Sequence, residues 1–422
     1  MSNSENEQIT TDLLVVGGGI SGMTAAIEAS ELGKEAVLVE IEPFLGGRVA
    51  RMHQYFPKLC PPICGLEINY KRLRLNNKVK ILTLTRVEEI GGKAGDYTVK
   101  LTVLPRYINE NCTACGECAR VCKIEVPDEF NYGLSKRKAV YMPQMAFPPI
   151  YVADAEYVKD AEFQICVDAC RYNAFDLKMQ PKTITVKTRA VVWATGWKPY
   201  DATKLDTLGY GKYPNVITNV MLERLAAADG PTAGKILRPS DQGAVTKIGF
   251  VQCAGSRDEN HLPYCSGVCC AASIKQAFYV REQYPDAEIH IFYIDVRTPG
   301  RLEDFYVKSD TDEKIFFHRG KVAQIREVPG SGNLIVVTEN TLTGEITEME
   351  VDLAVLATGM VPNSATDALP ADTPRDEWGF ILPHAPSGVA AAGVSARPID
   401  VAACVQSATG ALIESLIAAE RS

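Results

Sequence analysis

The chain has 422 residues, 46% of them apolar and 23% charged, with a net charge of −8. This is ordinary globular composition, long enough for about two to three domains; it excludes global disorder and argues against a nucleic-acid or anionic-lipid binder. The unusual number is thirteen cysteines, which in a reducing compartment point to metal ligation or redox work rather than structural disulfides.

The opening residues, MSNSENEQITTD, are polar and acidic and lack a signal peptide's basic-then-apolar layout. Apolar runs such as Leu13–Val16 fall short of the roughly 20 residues a spanning helix needs. The expectation is a cytoplasmic protein, with any membrane role resting on partners. Leu13–Val16 reads as a buried strand, GGGISG as the turn after it, and MTAAIEASELG as an apolar-periodic helix. Glu35–Glu40 is a second strand, which completes a βαβ unit. Within it, Gly17-x-Gly19-x-x-Gly22 has the spacing for a tight turn, for close backbone approach to a pyrophosphate, and for helix–strand packing. The N–H groups at Ile20 and Ser21 open the helix, where its positive end favours phosphate. Glu40, with Ile41 beside it, ends the second strand where an acid takes ribose hydroxyls. Together these predict dinucleotide binding.

Cys60 and Cys64 lie in LCPPICGLE. Their three-residue gap and the prolines at 61 and 62 differ from the CxxC and CxxxxC spacings of redox pairs, so they are expected to be packing thiols. From about residue 107 to 180 the chain is cysteine-rich and has few periodic segments. Cys112-x-x-Cys115-x-x-Cys118-x-x-x-Cys122 has the bacterial ferredoxin spacing, and soft thiolates converging from one loop suit a [4Fe–4S] cubane. Lys123 stands where that run has proline. A second, eroded run keeps Cys166 and Cys170 in its third and fourth places, with Asp160 and Phe163 in its first and second. In two-cluster ferredoxins the fourth cysteine of each run serves the other cluster. On that logic Cys112, Cys115, Cys118 and Cys170 hold the surviving cluster, and Cys122 and Cys166 are relics; the plainer assignment takes Cys122 as the fourth ligand.

Residues 183–193 alternate and then run apolar into Ala194-Thr195-Gly196. Ile248–Gln252 opens a second α/β unit, continued by an apolar helix near Ala271–Val280 and a strand at Glu288–Tyr293. A hairpin-like region at 321–352 has turn signals at PGSG and NTLTG. It leads into a strand, Leu353–Leu356, and a second Ala-Thr-Gly ending at Gly359. Cys253 ends the strand that opens this unit, and Cys265, Cys269 and Cys270 follow in YCSGVCC. Here a nicotinamide-binding domain would carry a second GxGxxG, but the turn reads CAGSRDENH. His261 lies in that loop as a candidate to ligate or tune a cluster. An alanine-rich segment from about 388 to 419 closes the chain with a helix; Asp400 is placed to meet a ribityl or pyrophosphate, or to cap that helix, and Cys404 is expected to be core. No P-loop, HExxH or Ser–His–Asp set is present, and no general acid–base dyad is assigned.

Gly46-Gly47-Arg48 and Ala194-Thr195-Gly196 resemble the GG and ATG motifs of flavoproteins with two dinucleotide-binding domains, which implies FAD. The whole resembles the flavin-containing A-subunit family of heterodisulfide reductase, through GGGISGMTAA, NCTACGECARVC, IEVPDEFNYGLSKRKAVY, FVQCAGSRDENHLPYCSGVCC and YIDVRTPGR. The resemblance implies an α/β fold with two Rossmann-like domains of the flavoprotein disulfide-reductase kind and a ferredoxin-like insert. The FAD domain is expected at 1–106, 181–239 and 363–422, the insert at 107–180, and the second domain at 240–362. It also implies a second [4Fe–4S] cluster on Cys253, Cys265, Cys269 and Cys270. Beside longer members the chain, which ends here at Ser422, is expected to be a short form, without their C-terminal ferredoxin extension or added N-terminal domain. In this it resembles the branch found in quinone-interacting membrane-bound oxidoreductase complexes of sulfate reducers. That branch implies electron exchange between a membrane quinone pool and adenylylsulfate reductase. Its implied partners are a second flavin- and cluster-containing subunit and a membrane haem subunit. The alternatives are a soluble bifurcating subunit of the heterodisulfide reductase type, or a stand-alone NAD(P)H-dependent disulfide or quinone reductase.

Overall fold

The computed structural model describes residues 7–367, 369–370, 373–383 and 387–422; the first six residues of the acidic N-terminal stretch lie outside them. Two sheets organise the chain. The first runs 79–82, 36–39, 7–16, 182–193, 96–103, 85–93, with 389–391 added beside 182–193. Its central strands are parallel, and 85–93 and 96–103 form an antiparallel pair on one flank. Leu13, Leu14 and Val15 are fully buried because apolar layers cover both faces, as a continuous apolar run in a parallel strand requires. The opening helix, Ile20–Glu31, packs on one face with the C-terminal helix, Val401–Arg421, in a core that includes Ala25, Ala29, Ala408 and Leu412. Among the described residues, Val401–Arg421 is long and apolar enough to cross a membrane by length and composition, which corrects the expectation that no segment approaches that length. Its Ala408, Ala411, Leu412 and Leu416 are buried against the first domain.

The second sheet is wholly parallel, in the order 216–218, 353–358, 247–254, 288–293, 315–319. A three-stranded antiparallel sheet, 321–327, 334–339 and 346–351, lies beside it, with PGSG and NTLTG at its two turns. Each Ala-Thr-Gly ends a parallel strand, and the segments that follow, 197–199 and 360–362, pair antiparallel to bridge the two domains. The second domain therefore begins near residue 200 rather than at 240: Val216–Thr218 pairs with Ala354–Leu356, and the helix Asn219–Ala226 follows it. The short length of strand 216–218 hid this.

The insert is built from short pieces around its own apolar cluster, which holds Ile108, Val140, Val158, Phe163, Cys122 and Cys166. Its two short helices, Glu117–Val121 and Gln164–Asp168, pack on each other. In the eroded half, Phe163 is fully buried and meets Phe175 edge-on at 6.0 Å, while Asp160 caps the turn before the helix by accepting from the Glu162 N–H.

Candidate functional site

A cavity of about 320 Å³ runs from the first sheet's strand ends to the second domain. Gly17, Gly19, Ile20 and Ser21 line one end, at the start of the opening helix. Gly17 has φ +113°, and a Cβ there would stand 2.2 Å from the Ala194 carbonyl oxygen. Gly22 lies behind the wall, where a Cβ would reach 1.7 Å from the Gly17 oxygen. Only glycine permits both the turn and the helix–strand contact. Glu40 accepts from the Gly18 N–H and, at 2.8 Å, from the Glu42 N–H; burial pushes its carboxyl up to about 7. Ile41 lines the cavity from an exposed position beside it.

Gly47 and Arg48 also line the cavity, while Gly46 stands behind it, hydrogen-bonding Gly18 at 2.9 Å. Arg48 donates to the Trp197 carbonyl and to Tyr132 of the insert, each at 3.0 Å, so the GG turn ties the insert to the cavity. Ala194, Thr195 and Gly196 form the floor. The Asn363 side chain donates to the Thr195 carbonyl at 2.7 Å, and the buried Thr195 hydroxyl has no partner. Asp400 both lines the cavity and caps the C-terminal helix, accepting from the Ala403 N–H at 2.8 Å. Gly359 is outside the lining: a Cβ there would meet the Ser256 hydroxyl at 2.2 Å, so it serves close packing against the cysteine loop. The cradle that side chains would fill, the free helix start and the orphaned Thr195 hydroxyl fit a dinucleotide.

The second domain supplies the opposite wall, which the sequence reading missed. Lys275 and Glu223 form a buried ion pair at 2.8 Å, with exposures of 2% and 7%. Lys275 also donates to the Gln54 carbonyl at 2.6 Å, and Glu223 accepts from Gln276 at 2.6 Å and the His53 N–H at 3.0 Å. Burial and Glu223 together push the Tyr279 hydroxyl far up, so it stays protonated and donates to the carboxylate. The signal was a Lys-Gln pair inside the apolar helix AASIKQAFYV. Cys404, expected as plain core, also lines the cavity; burial pushes it up to about 11.

In the insert, Cys112, Cys115, Cys118 and Cys170 surround a second cavity of about 20 Å³, with Tyr151 and Phe175. Burial, and then the nearness of the other three thiols, push Cys118 up to about 11. Cys122 is not in that lining. It is buried against Cys166, whose thiol is pushed up to about 12 by burial and by Cys122.

Cys253, Cys265, Cys269 and Cys270 gather at the carboxyl end of the second sheet. Cys253 takes φ +56° where the register shifts between Val251 and Ala254. Cys269 begins the helix Cys269–Gln283, and Val268 before it lines the large cavity. Burial is the first cause, and the neighbouring cysteines the second, of the upward push on the Cys253 and Cys269 thiols. Among the described residues, no three or more His, Cys, Asp or Glu side chains are drawn tight enough to hold a single ion. A four-iron cubane asks for a looser set, one thiolate per iron corner. Two all-thiol donor sets of four suit that chemistry. His261 pairs with the Tyr200 hydroxyl at 2.8 Å. Cys60 is half-buried and Cys64 exposed, and every cysteine is free.

A family model described as FAD dependent oxidoreductase matches residues 12–74. The chain is 40% identical over 401 residues to the iron-sulfur A-subunit 2 of the CoB–CoM heterodisulfide reductase of Methanopyrus kandleri, covering 93% of this chain and 60% of that one. It is 35% identical over 419 residues to the A-subunit of the H(2):CoB-CoM heterodisulfide,ferredoxin reductase of Methanothermobacter marburgensis, covering 96% and 63%. The chain thus spans about three-fifths of the length of these relatives. The thioredoxin reductases of T. acidophilum and Lactococcus lactis share its fold, each with a TM-score of 0.52, at 14% and 15% identity. They match over 98% of this chain and 98% and 100% of their own.

Proposed function

The chain is a homologue of the heterodisulfide reductase A-subunits and stands with them among FAD-dependent oxidoreductases, and from that premise we propose that it is an electron-transfer subunit carrying FAD and two [4Fe–4S] clusters. The observation that carries the proposal is the cysteine set at the carboxyl end of the second sheet, one residue from the wall of the large cavity. A pyridine-nucleotide reductase needs a glycine-rich phosphate loop at that switch point. FAD, when bound, supplies the interchange between two-electron and one-electron chemistry that clusters alone do not perform. The glycine cradle and helix start would hold its pyrophosphate, and the buried Lys275–Glu223 ion pair lines the opposite wall. Cys112, Cys115, Cys118 and Cys170 would hold the insert cluster, and Cys253, Cys265, Cys269 and Cys270 the other.

We place this activity in a complex that links a membrane quinone pool to adenylylsulfate reductase in sulfate reduction. The other subunits are a flavin- and cluster-containing protein and a membrane haem protein, and this chain lies at the inner face of the cytoplasmic membrane through them. Splitting or merging of electron pairs at the flavin would suit a chain that carries one flavin and two one-electron clusters. The alternative is a soluble bifurcating subunit, favoured by the pairing of heterodisulfide and ferredoxin in a relative's name.

The test is iron and acid-labile sulfide per FAD on anaerobically purified protein, with NAD(P)H added to the same sample. About eight irons per flavin are expected, four per cubane, with no bleaching of the flavin by NAD(P)H. Iron-free protein whose flavin is bleached by NAD(P)H would overturn the reading and restore a stand-alone reductase.

A further inference from the structure

Around the second cysteine set, two arginines converge from different elements. Arg257 sits in the loop after Cys253, with φ +53°, and its N–H donates to the Tyr264 carbonyl at 3.1 Å. A left-handed backbone at two non-glycine residues so close together is costly and persists only where surrounding contacts impose it. Here it brings the Arg257 guanidinium close enough to act on Cys253. Arg297 follows the neighbouring strand, Glu288–Tyr293, and its charge acts on Cys265 and Cys270. Asp295 binds both arginines, Arg257 through Nη1 and Arg297 at 3.2 Å, and its carbonyl accepts from the Cys270 thiol at 3.8 Å. The flavin cavity does not use these three residues.

We propose that Arg257 and Arg297, held beside the second cysteine set by Asp295, raise the reduction potential of its cluster through their positive charge. The proposal rests on the reading that Cys253, Cys265, Cys269 and Cys270 hold a cluster. Reduction adds one electron, and so one negative charge, to the cluster. Fixed positive charge beside the thiolate sulfurs favours that state. The guanidinium stays protonated throughout, so no proton accompanies the electron. Arg257, with 22% of its side chain exposed against 50% for Arg297, feels the lower dielectric and carries more of the effect.

The experiment is a redox titration followed by electron paramagnetic resonance on the FAD- and iron-loaded chain, taking as the second cluster's signal the one lost in Cys269→Ala. Arg257→Gln is expected to shift the reduced-to-oxidised ratio about tenfold toward oxidised at fixed potential, or about 59 mV downward for a one-electron couple. Arg257→Lys, which keeps the charge and loses the fork, falls between. Asp295→Asn, which removes a negative charge, shifts the signal upward. The insert cluster and the flavin keep their potentials in all three. Full iron content with an unmoved potential in both Arg257→Gln and Asp295→Asn would overturn the proposal. If Arg257→Gln loses the cluster, Arg297→Gln decides: a smaller downward shift supports the proposal, and none overturns it. Four irons and no such signal in the unsubstituted chain would instead overturn the reading beneath it.

Discussion

Exchanging Cys170 and Cys122 for serine, one at a time, separates iron binding from fold stability in the insert. Cys122 is 2% exposed, packed against Cys166, with its thiol 3.7 Å from the Ile124 carbonyl. A serine hydroxyl there is buried with a poorer partner, at a cost of about 1–3 kcal/mol. Cys170 is half-buried on the rim of the 20 Å³ cavity, where a serine costs the iron-free protein no more than about 0.5 kcal/mol. The iron moves the other way. Cys170→Ser removes one of the four thiols around that cavity, so iron per flavin is expected to fall from about eight to about four. Cys122→Ser, though the less stable protein, keeps about eight. Iron and sulfide assays on anaerobic protein, with urea unfolding of the iron-free form, read both quantities. Loss of four irons in Cys122→Ser with full retention in Cys170→Ser would refute the crossed-ligand reasoning.

Lys275→Met would leave Glu223 as an uncompensated buried carboxylate and lower the stability of the FAD-loaded protein by about 3–5 kcal/mol in urea unfolding; adding Glu223→Gln should restore most of it. No recovery in the double variant would mean that Lys275 acts through its bond to Gln54 instead. Glu40 gives a pH dependence. Its folded carboxyl titrates near 7 against 4.5 ordinarily, so the unfolded chain ionises first as pH rises, and the flavin-free protein loses about 3 kcal/mol between pH 4.5 and 7, then no more. Glu40→Gln should flatten that part of the stability–pH curve, and an unchanged slope would show that Glu40 is not its source.

The parts legible in the sequence were those whose chemistry lies in contiguous residues. In Gly17-x-Gly19-x-x-Gly22 the outer two glycines answer a local steric need, seen directly in the 2.2 Å and 1.7 Å approaches a Cβ would make at Gly17 and Gly22. The ferredoxin spacing put Cys170 with Cys112, Cys115 and Cys118, and these four line one cavity, while Phe163, in the place of a ligand, is fully buried. What was not legible depended on distant segments meeting. Val216–Thr218 is too short to carry a periodic signal and is a strand only because strand 353–358 pairs with it. Lys275 sits in an apolar helix and declares its role only when Glu223, 52 positions earlier, closes on it. Gly359 repeats the ATG pattern, but the second domain is turned so that its glycine meets the cysteine loop instead of a cofactor.

The position of the second cysteine set also has a physical logic. At the carboxyl edge of a parallel sheet, the turn into the next helix ordinarily offers backbone N–H groups and a positive helix end to a phosphate. Cys269 is the first residue of the 15-residue helix Cys269–Gln283, so the same positive end lies beside the thiols. That field, with Arg257 beside Cys253, opposes the upward push of burial on these thiols and would assist the deprotonation that iron binding demands. On the proposed reading, an edge suited to a pyrophosphate would need little remodelling to hold an anionic cluster. The acceptor would then stand next to Val268 on the cavity wall. Electrons would leave the flavin without a diffusing nicotinamide.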